Sequence, residues 1–104
     1  MDEVIDVFLE YKIDQNYVTQ YEEYMPTVKR MLETFGAYDI KWFEAANDQP
    51  YLYVEMFKVN KHEHYEAIKS LRQAEENHFS KEFALFVDGG ARKIHCWAFK
   101  QKKI

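Results

Sequence analysis

Four side chains in this 104-residue chain stand where acid–base chemistry could meet aromatic rings: Glu10, Tyr53, Glu55 and His95. A carboxylate enclosed by rings is driven toward the general-base range, and a neighbouring imidazole can share its proton. All four stand in segments that alternate. In RKIHCWAFK, residues 92–100, His95, Trp97 and Phe99 take every second position, with Ile94, Cys96 and Ala98 between them. As a strand, this segment shows one aromatic face with a titratable ring and one small aliphatic face. If Phe8, Tyr53, Phe57, Trp97 and Phe99 line a pocket, Glu55, His95 and Glu10 are the groups that would hold a ligand's polar end or act on it. Other reactive types are less well placed. His62 and His64 are two residues apart, which on a helix start sends them to different faces and makes a poor metal pair. Glu75 and His78 have the Glu-x-x-His spacing of di-iron bundles, but no second copy exists, so no metal site is expected. Cys96 has no CxxC partner and belongs to the aliphatic row, where a thiol behaves as a small buried hydrophobe.

The elements that must position these residues follow from the apolar periods. VIDVFLEYKI, residues 4–13, alternates as strand one. From Tyr17, apolar residues recur at three- and four-residue steps through Tyr21, Tyr24, Val28, Met31, Leu32 and Phe35, the stripe of a packed helix. Asp14 or Asn16 can cap it, Gly36 can end it, and Pro26 should kink it or open a second segment. AYDIKWFEA and YLYVEMFKV, residues 37–45 and 51–59, flank the turn residues NDQP as a hairpin. Asn60, with Glu63 three residues on, should cap a helix whose face carries Tyr65, Ile68, Leu71 and Arg72. Around EENH the stripe lapses. Phe79, Phe83, Phe86 and Val87 then restore it, and Gly89-Gly90 stops it before strand four.

The order β-α-β-β-α-β is the split βαβ arrangement, an α+β fold in which helices cover one face of a four-stranded antiparallel sheet with strands one and three central. The rows Val7-Leu9-Tyr11, Leu52-Val54-Met56 and Ile94-Cys96-Ala98 are expected under the helices. The open face then carries Phe8, Glu10 and Lys12; Tyr51, Tyr53, Glu55 and Phe57; His95, Trp97 and Phe99; and Phe43 at an edge. So large an aromatic patch on a soluble protein marks an interaction site. Two fillings are open: a dimer interface in which Glu10 and Glu55 pair with Lys12, Lys41 or a partner's bases, or a ligand site. Failing both, a pocket belongs between sheet and helices, near Tyr11, Tyr21 and Tyr65.

Composition narrows the class. Eight Phe, eight Tyr and two Trp against three Gly and two Pro describe one globular domain, residues 1–104, able to bury a core without disulfides. A net charge of −4 disfavours a phosphate-backbone partner, so no nucleic acid is expected. The basic residues Arg92, Lys93, Lys100, Lys102 and Lys103 should simply be solvated. MDEVIDVFLEYKI lacks the basic start and apolar run of a signal peptide, and no stretch is long enough for a membrane span. With one cysteine, a cytoplasmic protein is expected.

The element order, the helix text YVTQYEEYMPTVKRMLETFGA, the hairpin YDIKWFEAANDQPYLYVEMFKV and the run from Asn60 to Phe86 resemble the dimeric α/β-barrel superfamily, with its ferredoxin-like fold. The likeness is greatest to small antibiotic-biosynthesis-monooxygenase and NIPSNAP-like proteins, and it covers nearly the whole chain. It implies a homodimer with sheets packed open face to open face, and a possible small hydrophobic or aromatic ligand. It does not imply a reaction, since that group spans binding proteins, isomerases and cofactor-free oxygenases. The Asn, Trp and His of its haem-degrading members are not matched here: strand one has no Asn and Trp97 lies on strand four, so no cofactor is expected. The functional alternatives are a dimeric protein with a pocket or an assembly role, and a cofactor-independent monooxygenase-like or isomerase-like enzyme acting on an aromatic or polyketide-type compound.

Overall fold

Alternation in the first segment yields β1 (Ile5–Lys12), after which a 3₁₀ turn at Gln15–Tyr17 leads into α1 (Val18–Thr34). The computed structural model describes residues 3–74 and 77–104. The hairpin is β2 (Tyr38–Glu44) and β3 (Leu52–Val59), followed by α2 (His62–Gln73), α3 (His78–Ala84), a 3₁₀ turn at Ala91–Lys93 and β4 (His95–Phe99). The four strands pair antiparallel in the order β2-β3-β1-β4, with β1 and β3 central as the sequence leads one to expect. This is an α+β ferredoxin-like fold.

Local chemistry explains most boundaries. Asp14 accepts a hydrogen bond from the Asn16 N–H and opens the turn before α1. Gly36 ends α1 with φ +91°, in the left-handed region that favours glycine. A Cβ there would also fall 2.5 Å from His64 Nδ1 on α2. Two expectations are corrected. Pro26 does not open a second segment, because the helix runs on through it to Thr34. Asn60 does not cap α2: its side-chain oxygen accepts from the Tyr38 hydroxyl at 2.7 Å, and Lys61 takes the cap position without a side-chain bond. On either side of the lapse around EENH, α2 ends at Gln73 and α3 begins at His78, while Glu75 and Glu76 lie outside the described residues. Asn77 caps α3 by accepting from the Ser80 N–H, and it donates to the Leu71 carbonyl at the end of α2.

Register decides which residues face the helices. Val7 pairs with Phe57, Leu9 with Glu55 and Tyr11 with Tyr53, while Leu9 also pairs with Cys96. Residues opposite one another on a ladder point the same way. The covered face is therefore Ile5, Val7, Leu9 and Tyr11; Tyr53, Glu55, Phe57 and Val59; and Ile94 and Cys96, all buried. For β1 and β4 this agrees with the alternation. For β3 it is the reverse of the expectation: Tyr53, Glu55 and Phe57 lie under the helices, and Leu52, Val54, Met56 and Lys58 are on the other face, only partly buried. The physical reason is that Tyr53 and Phe57 offer more surface to the core, and Glu55 meets a buried cation there. No helix among the described residues is long and apolar enough to cross a membrane.

Candidate functional site

Glu55 is fully buried in the middle of the covered face, and it survives there because Arg72 of α2 is buried against it. Arg72 Nη1 donates to Glu55 Oε1 at 2.7 Å and Nη2 to Oε2 at 2.6 Å, the two-pronged geometry that guanidinium and carboxylate share. Burial works against the Arg72 charge, but the Glu55 carboxylate outweighs it and holds the guanidinium above its ordinary pKa. The Arg72 guanidinium also sits 4.6 Å from the Phe83 ring centre and 5.8 Å from that of Phe79, both on α3.

A chain of hydroxyls runs outward from this pair. Tyr11 donates to Glu55 Oε2 at 2.5 Å, and its oxygen lies 2.7 Å from that of Tyr21 on α1. Since the Tyr11 proton is directed at the carboxylate, Tyr21 must donate to Tyr11. The Trp42 indole N–H on β2 donates in turn to the Tyr21 oxygen at 2.7 Å. Every proton from Trp42 inward thus points at Glu55. Burial, above all, raises the pKa of Tyr11 and of Tyr21, so both stay protonated donors. Alongside, Tyr53 stacks on Trp42 with ring centres 6.1 Å apart and donates its hydroxyl proton to Glu22 Oε2 at 3.0 Å. Its pKa is raised by burial and then by the Glu22 carboxylate.

A pocket opens above this floor, between α1 and the β2–β3 edge of the sheet. Its volume is about 320 Å³, and its walls include Met25, Val28, Leu32, Ile40 and Trp42, with Glu22 and Lys29 among the residues that line it. Trp42 remains 41% exposed although it is hydrogen-bonded, so one edge of the indole is available to a ligand.

The open face is a different surface. Phe8, Val54, Met56, Trp97 and Phe99 line a trough of about 710 Å³, with Asp6 and Lys58 paired at 2.6 Å beside it. Phe43, Trp97 and Phe99 are about half exposed. His95 stacks on Trp97, ring centres 5.8 Å apart, and stands opposite Glu10 in register.

The sequence therefore groups residues that the fold divides. Glu10, His95, Phe8, Trp97 and Phe99 do share the open face. Glu55, Tyr53 and Phe57 do not join them, and the expected contact of Glu55 with His95 is replaced by the ion pair with Arg72, not one with Lys12 or Lys41. Tyr11 and Tyr21, named for the fallback pocket, do not line the observed one but hydrogen-bond to Glu55 and Trp42, which do; Tyr65 is a buried residue of α2. The residue that sequence reasoning missed is Trp42. Alternation held the signal, because a Phe43 on the open face obliges Trp42 to face the helices.

Of the remaining candidates, His62 lies 3.5 Å from Glu66 and His64 packs against Gly36, so the two histidines serve different neighbours. His78 lies 3.2 Å from Glu82, and the Glu75 half of the Glu-x-x-His spacing lies outside the described residues. Among the described residues, no three His, Cys, Asp or Glu side chains gather as a metal site would need. Burial pushes the Cys96 thiol up to about 11, which leaves it protonated and unreactive near neutrality.

Comparison with known proteins meets this geometry at the level of fold. No family model and no curated protein matches the chain. Solved structures do. The chain superimposes on a protein from Nitrosomonas europaea named "Putative antibiotic biosynthesis monooxygenase" with a TM-score of 0.71 and 11% identity, covering 97% of this chain and 92% of that one. A conserved protein from Methanosarcina mazei gives a TM-score of 0.70 at 10% identity over 96% and 94% of the two chains. A dimeric ferredoxin-like protein from an uncultured marine organism gives 0.62 at 14% identity over 100% and 93%. The fold is thus the ferredoxin-like one.

Proposed function

We propose that the chain is a homodimeric small-molecule-binding protein, with open sheet faces packed together and an aromatic compound held in the pocket between α1 and the sheet. The observation that carries the binding reading is the pocket itself: apolar walls, a half-exposed Trp42, and beneath it a hydrogen-bonded floor that cannot collapse into the space. Pockets combine apolar surface with a few oriented polar groups in this way. The dimer reading draws on the exposed row of Phe43, Trp97 and Phe99 and on the dimeric state of the marine relative. In it, Phe8, Trp97 and Phe99 serve assembly, and Glu10 and His95 sit at the interface. The free, buried Cys96 fits a reducing cytoplasmic setting.

A second reading, cofactor-independent oxygenation or isomerisation of such a compound, draws support from the name of the Nitrosomonas relative. For this chemistry Glu55 is poorly suited as a base, since both its oxygens already accept charged or short hydrogen bonds. Glu22, with a single side-chain donor among the described residues in Tyr53, is the better-placed carboxylate. One experiment separates the readings. An aromatic fragment screen by thermal shift should give ligands whose affinity falls in Trp42→Ala and is unchanged in Trp97→Ala. Oxygen uptake with those ligands in metal-free, flavin-free buffer then reports the enzymatic alternative. Light scattering at micromolar concentration should give a dimer, burying on the order of 2,000 Å² or more. A stable monomer ends the dimer reading, and ligands lost with Trp97 in place of Trp42 end the pocket reading.

A further inference from the structure

We propose that the α1 pocket selects ligands by their hydrogen-bond donors, and that its occupant is an aromatic body carrying an ammonium group. The inference rests on the small-molecule reading of this pocket and names the chemistry it would take.

The argument follows the protons. Four aromatic donors are tied by hydrogen bonds to the lining residues Trp42, Glu55 and Glu22, and each already has its proton engaged. Trp42 gives its N–H to Tyr21, Tyr11 gives its proton to Glu55, and Tyr21 therefore gives its own to Tyr11. Tyr53 gives its proton to Glu22. These directions are fixed from the centre outward by the Glu55 carboxylate, which accepts and cannot donate while it is paired with Arg72. What remains for a ligand at the Glu22 end of the pocket is acceptor capacity. Each Glu22 carboxylate oxygen has two lone-pair sites, and the only side-chain donor to them among the described residues is Tyr53. At the Glu22 end, a ligand group that only accepts would face no free proton; the donor that lines the pocket, Lys29, stands further along α1.

Charge and shape agree with this. Glu55 is neutralised by Arg72, which leaves Glu22 and Lys29 as the charged groups that line the pocket. They stand seven residues apart on α1, so roughly 10 Å separates their positions along the helix axis, and one ligand end can meet Glu22 without meeting Lys29. Beside Glu22 stand the stacked rings of Trp42 and Tyr53, and ring faces attract a cation while a carboxylate binds it.

Three matched probes test the selection by isothermal titration calorimetry: naphthylethylamine, naphthylethyl methyl ether and naphthylpropionate. The amine should bind at least about tenfold more tightly than the ether, the usual margin for a hydrogen bond to a charged group, and the propionate most weakly. In Glu22→Gln, whose exposed site leaves the core untouched, the amine's advantage over the ether should shrink to about threefold or less. If the three probes bind alike, or the propionate binds best, donor selection is overturned while the pocket stands. An amine preference that survives unchanged in Glu22→Gln overturns it as well. If no naphthyl probe binds at all, the pocket reading fails and this inference fails with it.

Discussion

The two faces of this sheet use aromatic residues in opposite ways. Under the helices, Tyr11, Tyr21, Tyr53 and Phe83 are buried with their rings in edge or tilted contact, and the hydroxyls of the tyrosines are all engaged. On the open side, Trp97 and Phe99 are about half exposed; Phe8 meets Phe99 edge to face at 5.3 Å and His95 stacks on Trp97 at 5.8 Å. The covered face is thus specified by direction: a carboxylate at its centre dictates where each proton points. The open face is specified only by area. Substitutions on the first should be felt as lost folding stability, and those on the second as lost association.

The sharpest break in that contrast comes at Arg72. Replacing it with Met keeps apolar volume but leaves Glu55 charged and uncompensated in the core, which for buried pairs costs about 3–5 kcal/mol. Chemical denaturation of Arg72→Met should show a loss of that size. The double variant Glu55→Gln, Arg72→Met should recover much of it, because the burial penalty leaves with the charge. A single variant as stable as the parent would mean that the ion pair does not organise this face.

This pair also explains which parts of the fold are legible in the sequence. Element order, the central position of β1 and β3, and the faces of β1 and β4 follow from alternation, since each of those strands has one clearly more apolar row. In β3 both rows are largely apolar: Leu52, Val54 and Met56 against Tyr53, Phe57 and Val59. The period fixes which residues share a face but not which face is covered. Choosing the row Leu52-Val54-Met56, whose one charge is Lys58 near the strand's end, put Glu55 outside. The tie-breaker was present in α2, where Arg72 continues the apolar stripe of Tyr65 and Ile68 and so calls for a buried carboxylate. Glu55 is the acidic residue inside β3. Once the face is inverted the site moves with it, from the aromatic open face to the pocket over Trp42. The Asn60 cap failed for another reason: its bond to Tyr38 is a tertiary contact that local spacing does not encode.

On the open face, Trp97→Ala should shift the balance between folding and assembly. A side chain already 45% exposed in the protomer has less burial to lose than a core aromatic, so the stability of the isolated protomer should fall by about 1 kcal/mol or less. Its contribution is expected at the interface, where truncating a central Trp typically weakens association by about 2 kcal/mol or more, some thirtyfold in dissociation constant. Sedimentation velocity across a dilution series measures the second quantity. Loss of folding stability with an unchanged dissociation constant would show that Trp97 belongs functionally to the core.

The smallest effect, and the one that compares the faces at adjacent residues, is the titration of Cys96. Its neighbour Trp97 points to the open side, while Cys96 pairs with Leu9 on the covered side and is 8% exposed. Burial favours the neutral thiol, raising its pKa from 9.0 to about 11. The sign follows from proton binding: near pH 9 the unfolded chain begins to release this proton while the folded chain keeps it, so rising pH favours unfolding. The stability that the neutral thiol confers is fully present below pH 9 and is lost as pH climbs toward 11. A shift of this size corresponds to a loss of about 1–2 kcal/mol over that window. Urea midpoints measured from pH 8 to 10 should therefore decline in the parent protein. In Cys96→Ala they should start lower, because a small cavity replaces the sulfur, yet stay nearly level until the buried tyrosines begin to titrate in the unfolded chain near pH 10. Equal slopes in the two proteins would show that the thiol meets water in solution, and that the covered face is open at this strand.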